Sequence, residues 1–456
     1  MGIFVAGSGN SEGNGRERWG SPSGFVFAAS GSAIGLGSFW RLPFLSQQHG
    51  GGAFLVLLVG MVVVFGLNIF LAELAIGRAA QRSGAEAFAS FGGRLWSVVG
   101  VVGAFVAFLI LAAYTVVAGW VIAFALHLLL GTASISADAP AKVFEVFLAD
   151  PVQPILGGGL FVLLTVWIVI AGIRNGIERV NEVLVPLLLL LLLLLSARAL
   201  TLPGAIDTLA QLLEPDFSSL DPTAVLAALG HALVSLSLGF GIMIVYGSYC
   251  APDGGLVGKA SAIVGLSTVA ALMVVATVLP LVGAADEPSA AGVRTLMVVV
   301  PRTLLQHPFG IVFMLIYFAA IIIGALTSAV SMLEAVVAHF GDRHGFGRTQ
   351  SAPAAGLYAF LLGVPLTLSI GSRQDGVTTF GHRFLANIDT LSANTLLPLG
   401  AIAVALFVGW VMGARACVEV FPPTPMGKRC SSIWLAGLKA PIPAAIAVIL
   451  LAHLFG

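Results

Sequence analysis

The sequence predicts an all-α polytopic membrane protein of about eleven transmembrane helices, and three observations predict it. Of its 456 residues, 58% are hydrophobic and 9% charged, whereas a soluble domain carries about 25% charged residues. Apolar stretches long enough to cross about 30 Å of hydrocarbon recur along the whole chain. Two of them carry glycines and hydroxyls at mid-depth: Ser30 to Pro43 (SGSAIGLGSFWRLP) and Ser235 to Gly241 (SLSLGFG). An unwound backbone in lipid leaves N–H and C=O groups without helical partners, which is tolerated only where they line a cavity or coordinate something. The breaks lie about 200 residues apart, each near the start of one half of the chain, and paired interruptions of this kind point to a binding site at the bilayer midplane.

The opening residues 1–18 are expected to form a flexible cytoplasmic tail, because the Gly-, Ser- and Asn-rich start lacks the apolar core and small-residue cleavage site of a signal peptide. The spans then follow at 19–45, 51–80, 95–130, 155–173, 178–200, 223–250, 257–283, 308–341, 352–371, 384–413 and 432–455. In the fifth, the run Leu187 to Leu195 reads as the plainest lipid-facing segment. Between the seventh and eighth, Ala290 to Leu305 is too polar to span and is expected to cap one face. With the N-terminus cytoplasmic, about 13 of the 21 basic residues fall inside, the sign the positive-inside rule requires. An odd number of spans then puts the C-terminus outside.

Composition also excludes function classes. The formal net charge is zero and no basic stripe is present, which argues against a nucleic-acid partner. Cys250, Cys417 and Cys430 are too few and too scattered for a disulfide framework or a zinc site, and read as inert small residues on the cytoplasmic side. No HExxH or GxSxG occurs, Gly258-Lys259-Ala260 lacks the rest of a phosphate-binding loop, and no strand precedes the glycine pair Gly35 and Gly37. The chain is not expected to be an enzyme.

Four ionisable residues lie within the spans: Arg41, Glu73, Glu334 and Asp389. Such a group costs from about 2.5 kcal/mol upward at bilayer depth and is a functional hypothesis by default. Arg41 and Asp389 sit near outer helix ends, where snorkelling is the competing reading; Glu73, in LAELAIGR, needs an internal partner. A third polar cluster, Thr327-Ser328 in GALTSAVSM, interrupts the eighth span. Hydroxyls in a membrane helix can bond back to their own backbone or join helices. Beside two unwound segments they can equally complete an oxygen shell for sodium, a hard cation that freed carbonyls coordinate without a buried full charge. Tyr114 lies mid-span in ILAAYTVVAGW, either an interface anchor or a hydrogen-bond donor. The helices restarting near Gly37 and Gly241 present termini to the cavity, and N–H groups there favour a carboxylate. A zwitterionic amino acid is the natural ligand. No acidic residue near Gly35 could hold a lone amine, which argues against a monoamine.

At these residues the chain closely resembles the neurotransmitter:sodium symporter family, including its bacterial leucine-transporter type, whose architecture is built on inverted repeats. GSAIGLGSFWRLP, HGGGAF, LAELAIGR, GIRNGIERVNEVLVP, EPDF, SLSLGFG, YGSY and ALTSAVSMLE recur in that order across roughly residues 16 to 342, with FLANID a looser later match. The resemblance implies two inverted five-helix repeats, 19–200 and 223–413, with helices 1 and 6 broken and 432–455 as an additional transmembrane helix.

It also implies a site, residue by residue. One sodium (site 2) would take the carbonyls of Gly31, Ile34 and Gly324 and the hydroxyls of Thr327 and Ser328. The other (site 1) would take the Ala33 carbonyl, Ser38, Ser267, Ser235 and the substrate carboxylate; the family commonly has amides at 38 and 267 and Thr at 235, so the hydroxyls here reach less far. The substrate would meet Ser32, Ala33, Leu36, Gly37, Ile110, Tyr114, Val234, Ser235, Ser237, Phe240, Ser328 and Met332. Val234, smaller than the aromatic often found there, leaves room for a larger side chain. Chloride-dependent relatives have a Tyr, a Gln and a Ser where this chain has Leu58, His231 and Ala271, so chloride is not expected. For His231, simple packing and a charge-compensating or proton-linked role both stay open. Arg41 and Asp389 would form an outer gate with Phe240 beneath it; Arg16 and Asp342, supported by Trp19 and Tyr249, would form an inner one. Gly176 and Pro186 match a helix 5 pattern in which local unwinding admits water, and proline's missing N–H makes that unwinding cheaper.

The expected function is therefore a sodium-coupled symporter (one or two Na+) importing a hydrophobic or neutral amino acid by alternating access across the cell inner membrane, as a monomer or weak homodimer. An amino-acid sensor with a transporter fold and no net flux, an ungated channel, and a proton-coupled amino-acid transporter are the alternatives. Two gate pairs favour transport over the first two.

Overall fold

A computed structural model describes residues 16–130, 138–251, 255–285, 294–371, 388 and 390–455. Among them every regular element is helical. Residues 1–15 of the expected tail, and Asp389, lie outside the described set.

Each of the two expected breaks divides a span. The first becomes α1 (Pro22–Ala33) and α2 (Gly37–Gln48). Ser21 caps α1 by accepting from the Gly24 N–H, with Pro22 in the first turn where a missing donor costs nothing. The helix ends where Ile34 turns to φ −93°, ψ 71°. There follow α3 (Gly52–Ala80), α4 (Gly84–Leu130), α5 (Val152–Ile170) and α6 (Ile173–Ala199). The sixth span becomes α7 (Pro222–Ser235) and the short α8 (Ile242–Ser248). Between these two, Ser237, Gly239 and Gly241 take φ of 55°, 87° and 77°. Serine is uncommon in that left-handed region, so the surroundings hold it there. The chain then continues through α9 (Leu256–Gly283), α10 (Gly310–His344), α11 (Arg348–Gly371) and α12 (Ser392–Met412), and ends in α13 (Pro425–Lys439) and α14 (Pro441–Phe455).

Several boundaries move, each for a local reason. The third helix begins at Gly84 rather than 95, bending at Gly93 (φ 75°). The turn between α5 and α6 falls at Gly172 (φ 87°), and Ile173–Glu178 forms a π-helical turn rather than a loop. The last span divides at Ala440, since a residue before proline is pushed out of the helical region. The leucine run of α6 is not uniformly lipid-facing: Leu188, Leu192 and Leu195 are buried at helical spacing while Leu187, Leu190, Leu193 and Leu194 point outward. Of the 290–305 segment expected to cap one face, the described helical part, Thr295–Leu305, is too short to span and is buried from Leu296 to Val300.

Helix α4 runs against α5 and α10, while α1 packs on α6, α9 and α10. Helices α3 and α8 meet backbone to backbone: a Cβ at Gly77 would stand 1.8 Å from the Ile244 carbonyl oxygen, and one at Gly247 2.7 Å from that of Leu74. Close approach through small residues is how membrane helices gain packing without a hydrophobic drive. Its consequence is that α3 can reach the unwound segment before α8.

The cap of α7 yields a pH prediction. Asp221 accepts from the Ala224 N–H and the Thr223 hydroxyl, each at 2.7 Å. First the Ala224 N–H and then the Thr223 hydroxyl hold its carboxyl below the ordinary value of 3.8. A lowered folded-state pKa contributes stability that is complete above the ordinary value and lost as pH falls through the depressed one. Asp221→Ala should therefore lower the Tm in detergent by a few degrees at neutral pH, and the gap to wild type should close on acidification below 3.8. A gap that widens in acid would contradict the cap.

Candidate functional site

The unwound segments face each other across a cavity of about 110 Å3. Ser32, Ala33, Gly35, Gly37 and Ser38 line it from the first break, and Val234, Ser235, Ser237 and Phe240 from the second. Ile110, Ala113, Tyr114 and Val117 come from α4, Met332 from α10, and His231, Ile388 and Ser392 close the rest. Of the residues expected on this wall, Leu36 and Ser328 are not on it. Leu36 is wholly buried, and Ser328 turns its hydroxyl to the Gly31 and Ser32 carbonyls at 3.3 and 3.0 Å. Ala113, Val117, Ile388 and Ser392 were not anticipated. Their side chains carry no polar pattern in sequence, so only helix rotation decides that they face inward.

A buried carboxylate holds the second break open. Glu73, 0% exposed on α3, accepts from the Gly239 N–H at 2.7 Å. This is the internal partner that its position demanded. Tyr114 approaches the first break so closely that a Cβ at Gly35 would lie 2.5 Å from its hydroxyl. Here glycine is the residue that leaves the phenol room. Hydroxyls join the breaks: Ser32 Oγ lies 2.9 Å from Ser237 Oγ and 2.6 Å from Ser331 Oγ, and Ser237 also donates to the Ser32 carbonyl at 3.0 Å. Ser331 escaped the sequence reading because it lies one turn beyond the TS pair.

The residues expected to form sodium site 2 lie together. A Cβ at Gly324 would stand 3.0 Å from the Ile34 carbonyl oxygen, and one at Gly31 would stand 3.1 Å from Thr327 Cβ. Thr327 donates to the Ile323 and Gly324 carbonyls of its own helix at 3.0 and 3.2 Å, leaving its lone pairs for a cation. Of the site 1 residues, Ala33, Ser38 and Ser235 line the cavity, while Ser267 faces a second, smaller one that Ser235 also lines.

At the amino end of α1 the chain is closed by charge pairs. Arg16 Nη1 donates to both Asp342 oxygens at 2.8 and 2.7 Å, and its Nε to Ser248 Oγ at 2.8 Å. Its guanidinium lies 4.8 Å from the centre of the Tyr249 ring, a cation–π contact. The Trp19 indole donates to the Tyr246 carbonyl at 3.0 Å. Beneath this lies a second layer that sequence reasoning missed. Glu334, 0% exposed, accepts from the Tyr249 hydroxyl and from both Nη groups of Arg348, whose Nε donates to Glu17 at 2.8 Å. Glu334 stood out in sequence as an ionisable group within a span, but Arg348 sits beyond the turn at Gly345, where sequence distance says nothing of direction. Another missed residue is Glu178 of α6, which accepts from the Gly20 and Ser21 N–H groups at 2.6 and 2.8 Å and so ties down the amino end of α1. On the far side of the cavity from these layers, Arg41 of α2 donates to Asn394 at 3.2 Å.

The comparisons with known proteins agree with one another. The profile of the sodium:neurotransmitter symporter family matches residues 16–134 and 158–455. The sodium-dependent transporter YhdH of Bacillus subtilis, described as uncharacterized, is 34% identical over 95% of this chain and 97% of its own. A sodium-dependent transporter of Haemophilus influenzae, likewise uncharacterized, is 30% identical over 96% and 98%. A crystal structure of MhsT in complex with L-phenylalanine superposes with a TM-score of 0.86 at 36% identity, covering 96% of this chain and 100% of that one.

Removing one partner of a buried ion pair leaves the other charge uncompensated. Arg348→Ala should therefore loosen this closure. The native Cys250, buried just past the end of α8 and next in sequence to Tyr249 of the layer, serves as reporter once Cys417 and Cys430 are replaced by Ser. Its labelling by a thiol reagent should accelerate about tenfold, a shift of about 1.4 kcal/mol toward the open form. An unchanged rate would show that the layer does not hold the gate.

Proposed function

The chain belongs to the sodium:neurotransmitter symporter family, and from that premise we propose a sodium-coupled symporter that carries a neutral amino acid with a hydrophobic side chain inward by alternating access. The observation that carries the reading is the cavity itself: two unwound segments with hydroxyls and backbone groups on one side, and an apolar wall of Ile110, Val117, Val234, Phe240 and Met332 on the other.

In this reading the substrate carboxylate lies against the first break between Gly35 and Gly37, within reach of the Tyr114 hydroxyl. N–H groups at a helix start favour that charge. The side chain points to the apolar wall, where Val234 and Ala113 leave space for an aromatic ring. MhsT, a relative with such a ring in its complex, makes L-phenylalanine the natural probe. Sodium at site 2 is held by the Gly31, Ile34 and Gly324 carbonyls with Thr327 and Ser328. At site 1 it meets the Ala33 carbonyl, Ser38, Ser235 and the substrate carboxylate, with Ser267 set back across the small cavity that Ser235 also lines, so ion and substrate neutralise each other in a confined site. Chloride plays no part, since Leu58, His231 and Ala271 replace the residues a chloride site uses in relatives.

Coupling follows from which groups must part. Each sodium moving down a tenfold gradient supplies about 1.4 kcal/mol, and 100 mV adds about 2.3 kcal/mol per charge. With both sites filled, the bundle carrying α1, α2, α7 and α8 rocks against α4 and α10, and the Arg16–Asp342 and Glu334–Arg348 layers separate. Release of α1 also requires Glu178 to let go of Gly20 and Ser21, which links the π-helical turn of α6 to inward opening.

The Thr327→Ala, Ser328→Ala double variant should bind L-phenylalanine at least about tenfold more weakly in sodium than wild type does, with the difference between sodium and potassium buffers reduced to what site 1 alone supplies. Purified protein in proteoliposomes should accumulate the labelled amino acid only under an inward sodium gradient. Unchanged sodium stimulation in the double variant would overturn the assignment of site 2; uptake driven equally by a proton gradient would overturn sodium coupling.

A further inference from the structure

His231 is 1% exposed in α7, and neither of its ring nitrogens has a hydrogen-bond partner among the described residues. Leaving buried polar atoms unpaired is costly, so a group in this position implies a ligand. His231 and Ser235 line two cavities at once: the central one, with Ser38, and a neighbouring one of about 10 Å3 with Ser267 and Thr268, room for about one water molecule.

The hydrogen bonds around the small cavity define what it can hold. Ser235, Ser267 and Thr268 donate back to the Ala232, Ile263 and Val264 carbonyls at 3.2, 2.8 and 2.7 Å. Their protons are spent, and lone pairs face the space. A neutral imidazole adds one N–H and one lone pair. The set is thus rich in acceptors with a single donor, matching a water molecule that accepts once and donates twice. The remaining walls, Leu58, Val59, Val62 and Ala271 among them, are apolar and provide no donor for an anion.

We infer that His231 is a positioning residue of sodium site 1: its imidazole fixes a water molecule between Ser235 and Ser267, and this water presents to the ion the oxygen that serine at 267 is too short to bring. The inference rests on the proposed symport reading, whose site 1 it deepens. It explains why a histidine stands where packing alone would accept an apolar residue. It also gives two short serines a way to serve a cation that needs several oxygens.

The test is 22Na+ binding to the purified full-length protein, displaced by unlabelled sodium, in the Thr327→Ala, Ser328→Ala background so that site 1 alone is read. Adding His231→Leu should weaken sodium binding at least about tenfold. His231→Ala should be similarly weak, and His231→Ala with Ser267→Asn, whose amide reaches the ion directly, should recover affinity to within about threefold of the background. That rescue is one a merely structural histidine would not show. Sodium binding within twofold of the background in His231→Leu overturns the inference. If that variant does not fold, failure of Ser267→Asn to improve on His231→Ala overturns it instead. Absence of saturable sodium binding in wild type would overturn the symport reading itself, and its complete loss in the Thr327, Ser328 background would overturn the separate first site.

Discussion

The hydrogen bond from the Gly239 N–H to the Glu73 carboxylate is the interaction on which the rest of the molecule depends. A helix broken at the midplane exposes peptide groups that lipid cannot satisfy. A carboxylate from the neighbouring helix takes the place of a helical carbonyl, and the left-handed residues Ser237, Gly239 and Gly241 become tenable. The carboxylate can stand there because α3 and α8 touch through Gly77 and Gly247, with no side chain between their backbones. Remove that approach and the second break loses its support. The cavity loses one wall with it.

The first break is secured differently. It has no carboxylate of its own at mid-depth; Ser32 bonds to Ser237 and Ser331, and Ser328 donates to the Gly31 and Ser32 carbonyls. Hydroxyls can exchange partners with little penalty, whereas a fully buried carboxyl group that lets go of its N–H partner is left unsatisfied in a site with no water to replace it. The structure thus pairs a firmly held segment before α8 with a more exchangeable one after α1. Helix α1 is instead fixed at its amino end, where Glu178 caps it and the Arg16 and Arg348 layers close over it. Glu334 is buried, but Arg16, Asp342, Arg348 and Glu17 are partly exposed, so that water can replace a partner as it leaves. That is a suitable property for a contact that must break and reform.

How much of this was legible in the sequence depends on the residue. Glycines and hydroxyls inside apolar spans announce breaks because lipid makes any exception expensive, and the ordered motifs from Ser30 to Glu334 carried the family. Glu73 announced that it needed a partner, and Glu334 stood out as an ionisable group within a span. The partners themselves were silent: Gly239 contributes a backbone N–H, Arg348 reads as an ordinary positive-inside residue, and Glu178 reads as the polar start of the fifth span beside Arg179. The π-helical turn at Ile173–Glu178 was equally hidden, because a turn shifted by one residue to Gly172 leaves hydropathy unchanged. His231 stood out as an unusual residue, yet its two unpaired nitrogens and the small cavity beside them belong to no local pattern.

The sequence by itself determined that the chain is a multi-pass helical membrane protein, where its helices lie, and that its first and sixth spans are interrupted. Those properties follow from local composition against a solvent that tolerates no unpaired backbone. Only the tertiary structure decided which face of each helix turns inward, so that Leu188 is buried and Leu187 is not, and which distant groups meet, such as Arg348 with Glu334 or Glu178 with the start of α1. The reason is geometric. Helix rotation and crossing are set by packing among many helices at once, and no single segment carries that information.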